Sequence, residues 1–236
     1  LSSAASDVYK RQGYNRPDDI PITLSTVMQN IIDDKTLDVS QGIIHHSEGV
    51  DLLPSNIEMS GFEVRLINAM SRERVLKTYV NEVKKNYDYV LIDCMPSLGM
   101  ITINALAAAD SVIIPTQPHY LSAKGLELLL RSVSMVKRQI NPKLRIDGIL
   151  MTMVMPRTNI SKEITATVKS AYGKKIKVFD TEIPHSIRAV EATAEGKSIF
   201  AYDKSGKVAA AYEQLGKEVA EIGEKQRNQN RADRIR

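Results

Sequence analysis

A short apolar run that ends in a carboxylate constrains the fold of this 236-residue chain more than any other stretch. The run Tyr89–Asp93 is apolar at successive positions up to its final acid, and Pro96 and Gly99 follow it. Successive apolar residues face both sides of a strand, so the run predicts a strand buried on both faces, as in a parallel sheet. A carboxylate at the carboxyl end of such a strand lies where open α/β sheets bind ligands. A buried strand that simply ends at a turn-forming aspartate is the alternative.

Segments with helix periodicity alternate with segments of strand character along the rest of the chain. The predicted helices are Thr23–Asp33, Ser71–Lys85, Ile101–Ala109, Ala123–Ile140, Lys162–Tyr172, Ile187–Ala194 and Lys207–Lys225. The predicted strands are Ile43–His46, Val50–Leu53, Tyr89–Asp93, Ser111–Pro115, Leu144–Val154 and Lys177–Ile183. Alternation of this kind is typical of parallel strands joined by right-handed crossovers. The sequence therefore predicts an α/β fold with a mostly parallel, twisted sheet flanked by helices, in one domain.

The composition excludes several classes of protein. Cys94 is the only cysteine, so the chain has no internal disulfide, which fits a reducing cytoplasm. A single cysteine also counts against a cysteine-ligated iron–sulfur cluster. The histidines include the adjacent pair His45 and His46, which would point to opposite faces of a strand, so we expect no metal site there. No run approaches 18 apolar residues, so no membrane span is predicted.

The positive charge of the chain is concentrated at its end. The last twelve residues hold five basic side chains and one acid, and they account for the whole net charge of +4. One interpretation is an arm that contacts phosphate groups. The other is a solvated, disordered terminus. The sequence leaves both open.

Three blocks of the sequence resemble the ParA family of DNA-partition ATPases, which is related to MinD. They are Val50–Glu63, which reads VDLLPSNIEMSGFE; Tyr87–Leu130, which begins YDYVLIDCMPSLG; and Val178–Val219, which contains IPHSIR and YDKSGK. The resemblance covers Gly13–Ile222 in order and without large gaps. It implies a Rossmann-like P-loop NTPase fold and a role in plasmid or chromosome partition.

The resemblance also assigns roles to the loop after the Tyr89–Asp93 run. Asp93 corresponds to the Walker B acid, which would act in catalysis and hold Mg²⁺, directly or through water. The loop senses the γ-phosphate in the family and has the pattern DxPPSLG, whereas this chain reads DCMPSLG. Met95 replaces a proline, and the loss of a fixed φ would loosen the switch. The residues of this loop that match the family and are expected to bind the nucleotide are Pro96, Ser97 and Gly99.

Two further segments correspond to the family's adenine pocket. The strand end GILMTM contains Thr152, and the turn IPHS contains Pro184. We expect both residues to flank the adenine, with contacts made largely by the backbone. The cofactors implied by the resemblance are therefore ATP and Mg²⁺.

A DNA-binding patch and several partners are implied in the same way. Arg188, Lys204 and Lys207 fall where the family often has basic residues that contact DNA phosphates without reading sequence. A solvated surface charge is the alternative for each residue. Family members bind DNA as ATP-bound homodimers and respond to a ParB-type centromere-binding protein. The expected location is the nucleoid in the bacterial cytoplasm, without a membrane partner.

One part of the family pattern is missing. Members open with a strand and a glycine-rich phosphate loop, KGGxGKT in outline, followed by an acidic DxDPQ-type motif, and the chain contains neither. We therefore expect a family member that lacks its front part, including the P-loop strand. Without the backbone donors and lysine of that loop, we expect the chain to bind ATP poorly and not to hydrolyse it. A gap beside Tyr89–Asp93 would also lower its stability.

The pattern divides the chain into three parts. Leu1–Gln12 lacks periodicity and does not match the family, so it is predicted to be a non-native or disordered leader. It also lacks the apolar core of a signal peptide. Residues 13–224 form the partial NTPase domain, and residues 225–236 form the basic tail.

Two other functions remain as alternatives. A non-catalytic DNA-binding or regulatory module of the same fold would also lack a phosphate loop. A MinD-like membrane ATPase would need a terminal amphipathic helix with bulky apolar residues, and the tail has one, Ile235.

Overall fold

The computed structural model describes residues 20–36, 38–95 and 99–235. The chain divides into two compact units. Unit 1 comprises residues 1–110 and 131–144, and unit 2 comprises residues 111–130 and 145–236. The predicted leader, Leu1–Gln12, lies outside the described residues, and the assignment of residues 13–224 to one domain stays a prediction.

Unit 1 is mainly helical and contains one small hairpin. Its elements are α1 (Leu24–Ile32), β1 (Ile44–His45), β2 (Asp51–Leu52), α2 (Glu58–Leu66), α3 (Val75–Val83), a 3₁₀ turn (Lys84–Asn86) and α4 (Met100–Ala108). Helix α1 begins after Thr23, which forms a capping box with Thr26. Strands β1 and β2 pair antiparallel, and the left-handed φ of 80° at Gly49 closes the turn between them. The hairpin predicted at Ile43–Leu53 is therefore confirmed.

The core of unit 1 lies where its helices meet. Each helix contributes apolar side chains at helix spacing, so one face of each is buried. The buried set includes Val27 and Met28 of α1, Phe62 and Leu66 of α2, Leu76, Tyr79 and Val80 of α3, and Ala105 and Ala108 of α4. This packing holds α2, α3 and α4 together around the ends of the loop that carries Asp93.

Unit 2 is built on a parallel strand pair. Its elements are β3 (Ser111–Thr116), the first part of α5 (Tyr120–Gln139), β4 (Arg145–Met151), α6 (Asn159–Tyr172), α7 (Ile187–Glu195), α8 (Ile199–Tyr202) and α9 (Lys207–Ile235). Strand β3 pairs parallel with β4, from Ser111 opposite Arg145 to Thr116 opposite Met151. Helix α5 connects the two strands, as a parallel pairing requires. The α/β class and the parallel pairing predicted from the sequence are confirmed.

A third segment extends this sheet, but its pairing is interrupted. The strand predicted at Lys177–Ile183 appears as two parallel bridges, Ile149 with Val178 and Val154 with Pro184. Between the bridges the backbone leaves the ladder, because the amides of Asp180 and Thr181 donate to the side chain of Glu218 instead. A carboxylate from α9 therefore replaces a neighbouring strand as the hydrogen-bond partner at this bulge.

Both faces of the unit 2 sheet are covered by helices. On one face, Ile114, Ile149 and Met151 pack against Leu126 of α5 and Val168 of α6. On the other face, Leu150, Phe179 and Ile183 pack with Val208, and Leu215 and Val219 of α9 lie against them. Alternate strand residues point to opposite faces, which accounts for the two separate apolar clusters.

The buried strand predicted at Tyr89–Asp93 is wrong. Residues 89–95 form neither helix nor strand, and Tyr89, Val90 and Leu91 are exposed. A strand in a sheet needs neighbours for its backbone N–H and C=O groups. Within the described residues, β1 pairs with β2, β3 pairs with β4, and the isolated bridges are made by Val178 and Pro184, so this segment has no strand beside it.

We expect Leu91→Ala to change the free energy of unfolding by less than about 0.5 kcal/mol, because exposed side chains contribute little. Leu91 is 92% exposed. Leu144→Ala in the same unit is the matched control, since Leu144 is 0% exposed and its truncation should cost about 2–5 kcal/mol. Urea unfolding of both variants measures the difference. Equal losses would mean that Tyr89–Asp93 is buried in solution.

Helix ends differ modestly from those predicted. Helix α9 continues to Ile235, beyond the predicted end at Lys225. Its buried apolar stripe ends near Ile222, but the following Lys, Arg and Gln residues are good helix formers and allow the helix to continue. Helix α5 begins at Tyr120, three residues before the predicted start. Among the described residues, none of the helices has the length and apolarity needed to cross a membrane.

Candidate functional site

Asp93 lies on an exposed stretch of unit 1. Its side chain is exposed, and the neighbouring Cys94 places Sγ 3.6 Å from the carbonyl oxygen of Ile92. The predicted nucleotide-binding residues Pro96 and Ser97 lie outside the described residues, so the structure leaves them as predictions. Gly99 is described, and it is the N-cap residue that precedes α4.

The segment that carries Asp93 begins after Tyr87, and a polar cluster on the hairpin of β1 and β2 anchors it there. Tyr87 donates from its hydroxyl to Oδ2 of Asp51 at 2.6 Å, and Nδ1 of His45 lies 2.6 Å from Oδ1. These hydrogen bonds, first that from Tyr87 and then that from His45, hold the pKa of Asp51 below its usual range. The bond to Asp51 also raises the pKa of Tyr87. Asp51 therefore ties the hairpin to the residue that precedes the Asp93 segment.

The end of the same segment is anchored by Glu63 of α2. Oε1 of Glu63 accepts a hydrogen bond from the amide of Ile101 at 3.4 Å. A Cβ atom at Gly99 would lie only 2.1 Å from this oxygen, so the carboxylate fills the space of a side chain at position 99. Hydrogen bonds within unit 1 thus hold both Tyr87 and the start of α4.

Asn104 provides a second attachment for α4. Its side chain is fully buried, and Oδ1 accepts from the amide of Leu76 at 3.1 Å. Nδ2 donates to the carbonyl oxygens of Arg72 at 2.7 Å and of Met100 at 3.0 Å. One side chain therefore caps the first turn of α3 and holds the start of α4 beside it.

The predicted adenine-flanking residues lie at the carboxyl edge of the unit 2 sheet. The amide of Thr152, just after β4, donates to the carbonyl oxygen of Thr116 at 2.9 Å. Pro184 forms an isolated parallel bridge with Val154, which lies two residues after Thr152. The structure therefore brings Thr152 and Pro184 to the same edge, where open α/β sheets bind ligands.

Met153 adds a strained residue to this edge. Its φ of 52° lies in the left-handed region, which side chains other than glycine and asparagine seldom adopt. Its side chain is exposed, and Sδ is 3.1 Å from Nε2 of Gln117, which follows β3. Such strain is found most often at ligand sites and switches. The sequence did not point to Met153, because methionine has no local preference for a left-handed φ.

A magnesium site would rest on Asp93 within unit 1. Mg²⁺ prefers oxygen ligands and is usually held by one or two carboxylates together with phosphates and waters. The carboxylate of Asp93 fits that chemistry as one ligand. No cluster of three His, Cys, Asp or Glu side chains that could hold a metal ion by itself occurs in the part of the chain that the structure describes.

The predicted DNA-binding residues are exposed on unit 2. Arg188 lies on α7, Lys204 lies before α9, and Lys207 is the first residue of α9. Nε of Arg188 is 4.0 Å from Oε2 of Glu191, which also accepts from the hydroxyl of Tyr202 at 3.1 Å. An exposed ion pair of this kind contributes little, so a phosphate could compete with Glu191 for Arg188.

A Gly-Lys-Ser sequence occurs later in the chain and has a structural role. Gly196 has a left-handed φ of 68° and ends α7, and the amide of Lys197 donates to the carbonyl oxygen of Ala192. This is the usual glycine C-cap of a helix. Ser198 then caps the short helix α8. These residues terminate helices, and the preceding sequence lacks the glycine of a phosphate loop.

The model of a family described as AAA domain matches residues 6–146 of the chain. Sporulation initiation inhibitor protein Soj of Bacillus subtilis is 44% identical over 176 residues, which cover 75% of this chain and 69% of that protein. Chromosome-partitioning ATPase Soj of Treponema pallidum is 42% identical over a match that covers 71% of this chain and 65% of that protein. The chain spans 61% of the length of another relative, an uncharacterized protein of Mycobacterium tuberculosis.

Solved structures of the same fold include two informative examples. Cobyrinic acid a,c-diamide synthase from Mycobacterium smegmatis, with bound ADP and magnesium, superposes with a TM-score of 0.66 at 29% identity, covering 87% of this chain and 89% of that one. A plasmid partition protein from Borrelia burgdorferi superposes with a TM-score of 0.58 at 22% identity, covering 82% and 78%. The second likeness concerns the fold alone.

Proposed function

Because the chain belongs to the ParA family of partition ATPases, we propose that it is part of an ATPase that partitions plasmid or chromosomal DNA. The observation that carries this proposal is the 44% identity with Soj, which extends over 75% of the chain. ATP and Mg²⁺ are the proposed cofactors, and a related synthase of this fold has been solved with ADP and magnesium.

We propose nucleotide-binding residues within each unit by itself. In unit 1, Asp93 would hold Mg²⁺ directly or through water, and Pro96, Ser97 and Gly99 would form the loop that senses the γ-phosphate. In unit 2, Thr152 and Pro184 would flank the adenine. The carboxyl-edge position of the last two residues supports this assignment.

Binding of a fluorescent ATP analogue, with Mg²⁺ and with EDTA, tests the nucleotide site. We expect weak binding that depends on Mg²⁺ and that falls about tenfold or more in Asp93→Ala, because the metal loses its carboxylate ligand. Asp88→Ala, an exposed acid five residues upstream, is the matched control and should bind like the unmodified chain. Binding that is insensitive to both Mg²⁺ and Asp93 would contradict the site.

We also propose that this chain does not hydrolyse ATP by itself. Its sequence contains no GGxGKT-type loop to supply backbone N–H donors and a lysine to the phosphates. Phosphate release should therefore equal that of Asp93→Ala. Release that depends on Asp93 would refute this part of the proposal. No nucleotide binding at all would instead favour a non-catalytic, DNA-binding or regulatory module of the same fold.

Non-specific DNA is the proposed macromolecular ligand, contacted by Arg188, Lys204 and Lys207. We expect Arg188→Ala to weaken binding to unrelated duplexes about equally and to lower the log–log salt slope by about 1, as one lost phosphate contact predicts. Arg157→Ala, an exposed arginine elsewhere in unit 2, is the control. Equal effects of the two substitutions would mean that Arg188 is only a solvated surface charge.

The basic end of α9 is tested in parallel. Deletion of residues 227–236 removes four arginines and one aspartate. A drop in salt slope of more than 1 would assign phosphate contacts to this segment. An unchanged slope would mean that its arginines are only solvated. We further propose that the protein forms homodimers on the nucleoid and binds a ParB-type partner. Pull-down with partition proteins tests the partner.

A further inference from the structure

One face of α2 is apolar but exposed in the part of the chain that the structure describes. Ile57, which directly precedes the helix, is 75% exposed, and Val64 is 65% exposed. Gly61 lies between them, and a Cβ atom added there would meet no atom within 4 Å outside the helix backbone. Residues at these spacings form one stripe along a helix. The opposite face, with Phe62 and Leu66, is buried in the core of unit 1, so the stripe points away from that core.

Two opposite charges flank this stripe on one side. Glu58 and Arg65 are seven residues apart, which is close to two helical turns, so they lie on the same side of α2. Oε2 of Glu58 is 3.5 Å from the hydroxyl oxygen of Ser25 on α1. Nε of Arg65 donates to Oε1 of Gln29 on α1 at 3.2 Å, and the guanidinium lies over the ring of Phe62 at 5.7 Å. These contacts hold both charged side chains beside the stripe, and both remain exposed.

The charges of α2 are self-complementary in an antiparallel pair. A two-fold axis beside Gly61, in the middle of the helix, would bring Glu58 of each copy level with Arg65 of the other copy. A parallel pair would instead turn this charged side of one helix towards the Ile67 side of the other, where it meets no opposite charge. Charges that flank the seam of paired helices set the choice of partner and its direction. They therefore favour a second copy of α2 in the antiparallel direction.

We propose that a second copy of this chain docks on α2 through an antiparallel helix pair. Ile57 of each copy would pack between Val64 and Ile67 of the other copy. The missing side chain at Gly61 lets the two backbones approach where the helices cross. Because a nine-residue helix buries less than the roughly 800 Å² per partner of a standard interface, we expect a weak dimer, with a Kd on the order of 100 µM. None of these residues belongs to the nucleotide or DNA sites proposed above, so the contact is independent of them.

Charge reversal, followed by sedimentation equilibrium of the full chain without nucleotide, is the first test. We expect the unmodified chain to dimerise between about 10 and 300 µM. Glu58→Arg would place arginines opposite each other, and Arg65→Glu would place glutamates opposite each other, so each variant alone should dimerise about tenfold or more weakly. An equimolar mixture of the two variants should dimerise like the unmodified chain, because every flanking charge again faces its opposite. Recovery in the mixture also shows that both variants are folded.

A second pair of reversals is the matched control. Glu82→Arg and Lys84→Glu change exposed charges on α3 and on the 3₁₀ turn after it, so they should leave dimerisation unchanged, alone and mixed. An unmodified chain that stays monomeric over this range would overturn the proposal, as would a mixture no stronger than its components. A dimer that forms only with ATP and Mg²⁺ would also overturn it but leave the proposed function intact. If the mixture recovers and ATP analogues do not bind, the proposed function alone fails.

The apolar stripe is tested separately from the charges. Val64→Ser removes apolar surface from the seam and should weaken dimerisation about tenfold. Met70→Ser, which truncates a 95% exposed side chain beyond the end of α2, is the matched control and should dimerise like the unmodified chain. Equal dissociation constants for the two variants would contradict a contact through this face of α2.

Discussion

Glu218→Ala should lower the free energy of unfolding by about 2–5 kcal/mol, because it leaves buried donors without an acceptor. Glu218 is only 9% exposed, and Oε1 accepts from the amide of Thr181 at 3.0 Å and from its hydroxyl at 2.5 Å. Oε2 accepts from the amide of Asp180 at 3.4 Å and lies 3.2 Å from Nζ of Lys177. Truncation would leave the amides of Asp180 and Thr181 without this acceptor, at the bulge between the bridges made by Val178 and Pro184.

The loss can be measured by urea unfolding against a matched control. Glu221→Ala removes an exposed carboxylate from the same helix and should stay within about 0.5 kcal/mol of the unmodified chain. Glu218→Gln keeps one acceptor oxygen and should show an intermediate loss. If Glu218→Ala and Glu221→Ala unfold at the same urea concentration, the bulge does not depend on this carboxylate.

The same carboxylate predicts a dependence on pH. Burial by itself raises the pKa of Glu218, but hydrogen bonds from Thr181 and Lys177 outweigh burial and hold the pKa below its usual 4.5. A lowered pKa in the folded state stabilises the protein at pH values above the unfolded pKa. This contribution disappears as the pH falls through the folded pKa. The difference in free energy of unfolding between the unmodified chain and Glu218→Gln should therefore become smaller below about pH 4.5. A difference that stays constant with pH would contradict a lowered pKa for Glu218.

Asn104→Ala should cost about 2–4 kcal/mol, since one buried amide side chain satisfies three backbone groups. Removing it leaves the amide of Leu76 and the carbonyl oxygens of Arg72 and Met100 without this partner. It also leaves a small cavity between α3 and α4. Urea unfolding measures the loss.

Two comparisons make this result specific. Asn81→Ala changes an exposed asparagine on α3 and should be nearly neutral. Asn104→Asp keeps an acceptor for Leu76 but loses the donor and buries a charge, so it should be no better than alanine. An Asn104→Ala variant as stable as Asn81→Ala would mean that the two helices meet without this side chain.

The candidate site was predictable where residues match a family pattern locally. Asp93, Gly99, Thr152 and Pro184 were predicted from short stretches of sequence, and the structure places the last two at the carboxyl edge of one sheet. Glu63 and Glu218 were not found, because each contacts a partner 37 or 38 residues away along the chain. No local pattern marks such a contact, although Gly99 at a helix N-cap was a possible signal.

The sequence by itself determined the α/β class, the parallel direction of the unit 2 strands, and most helices, because periodicity and turn residues act over a few neighbouring positions. Only the tertiary structure decided whether an apolar run pairs as a strand. Ser111–Thr116 finds a partner in β4 and is a strand, whereas Tyr89–Asp93 has no strand beside it within the described residues and is exposed. The physical reason is that strand hydrogen bonds are made between segments, while helix hydrogen bonds are made within one.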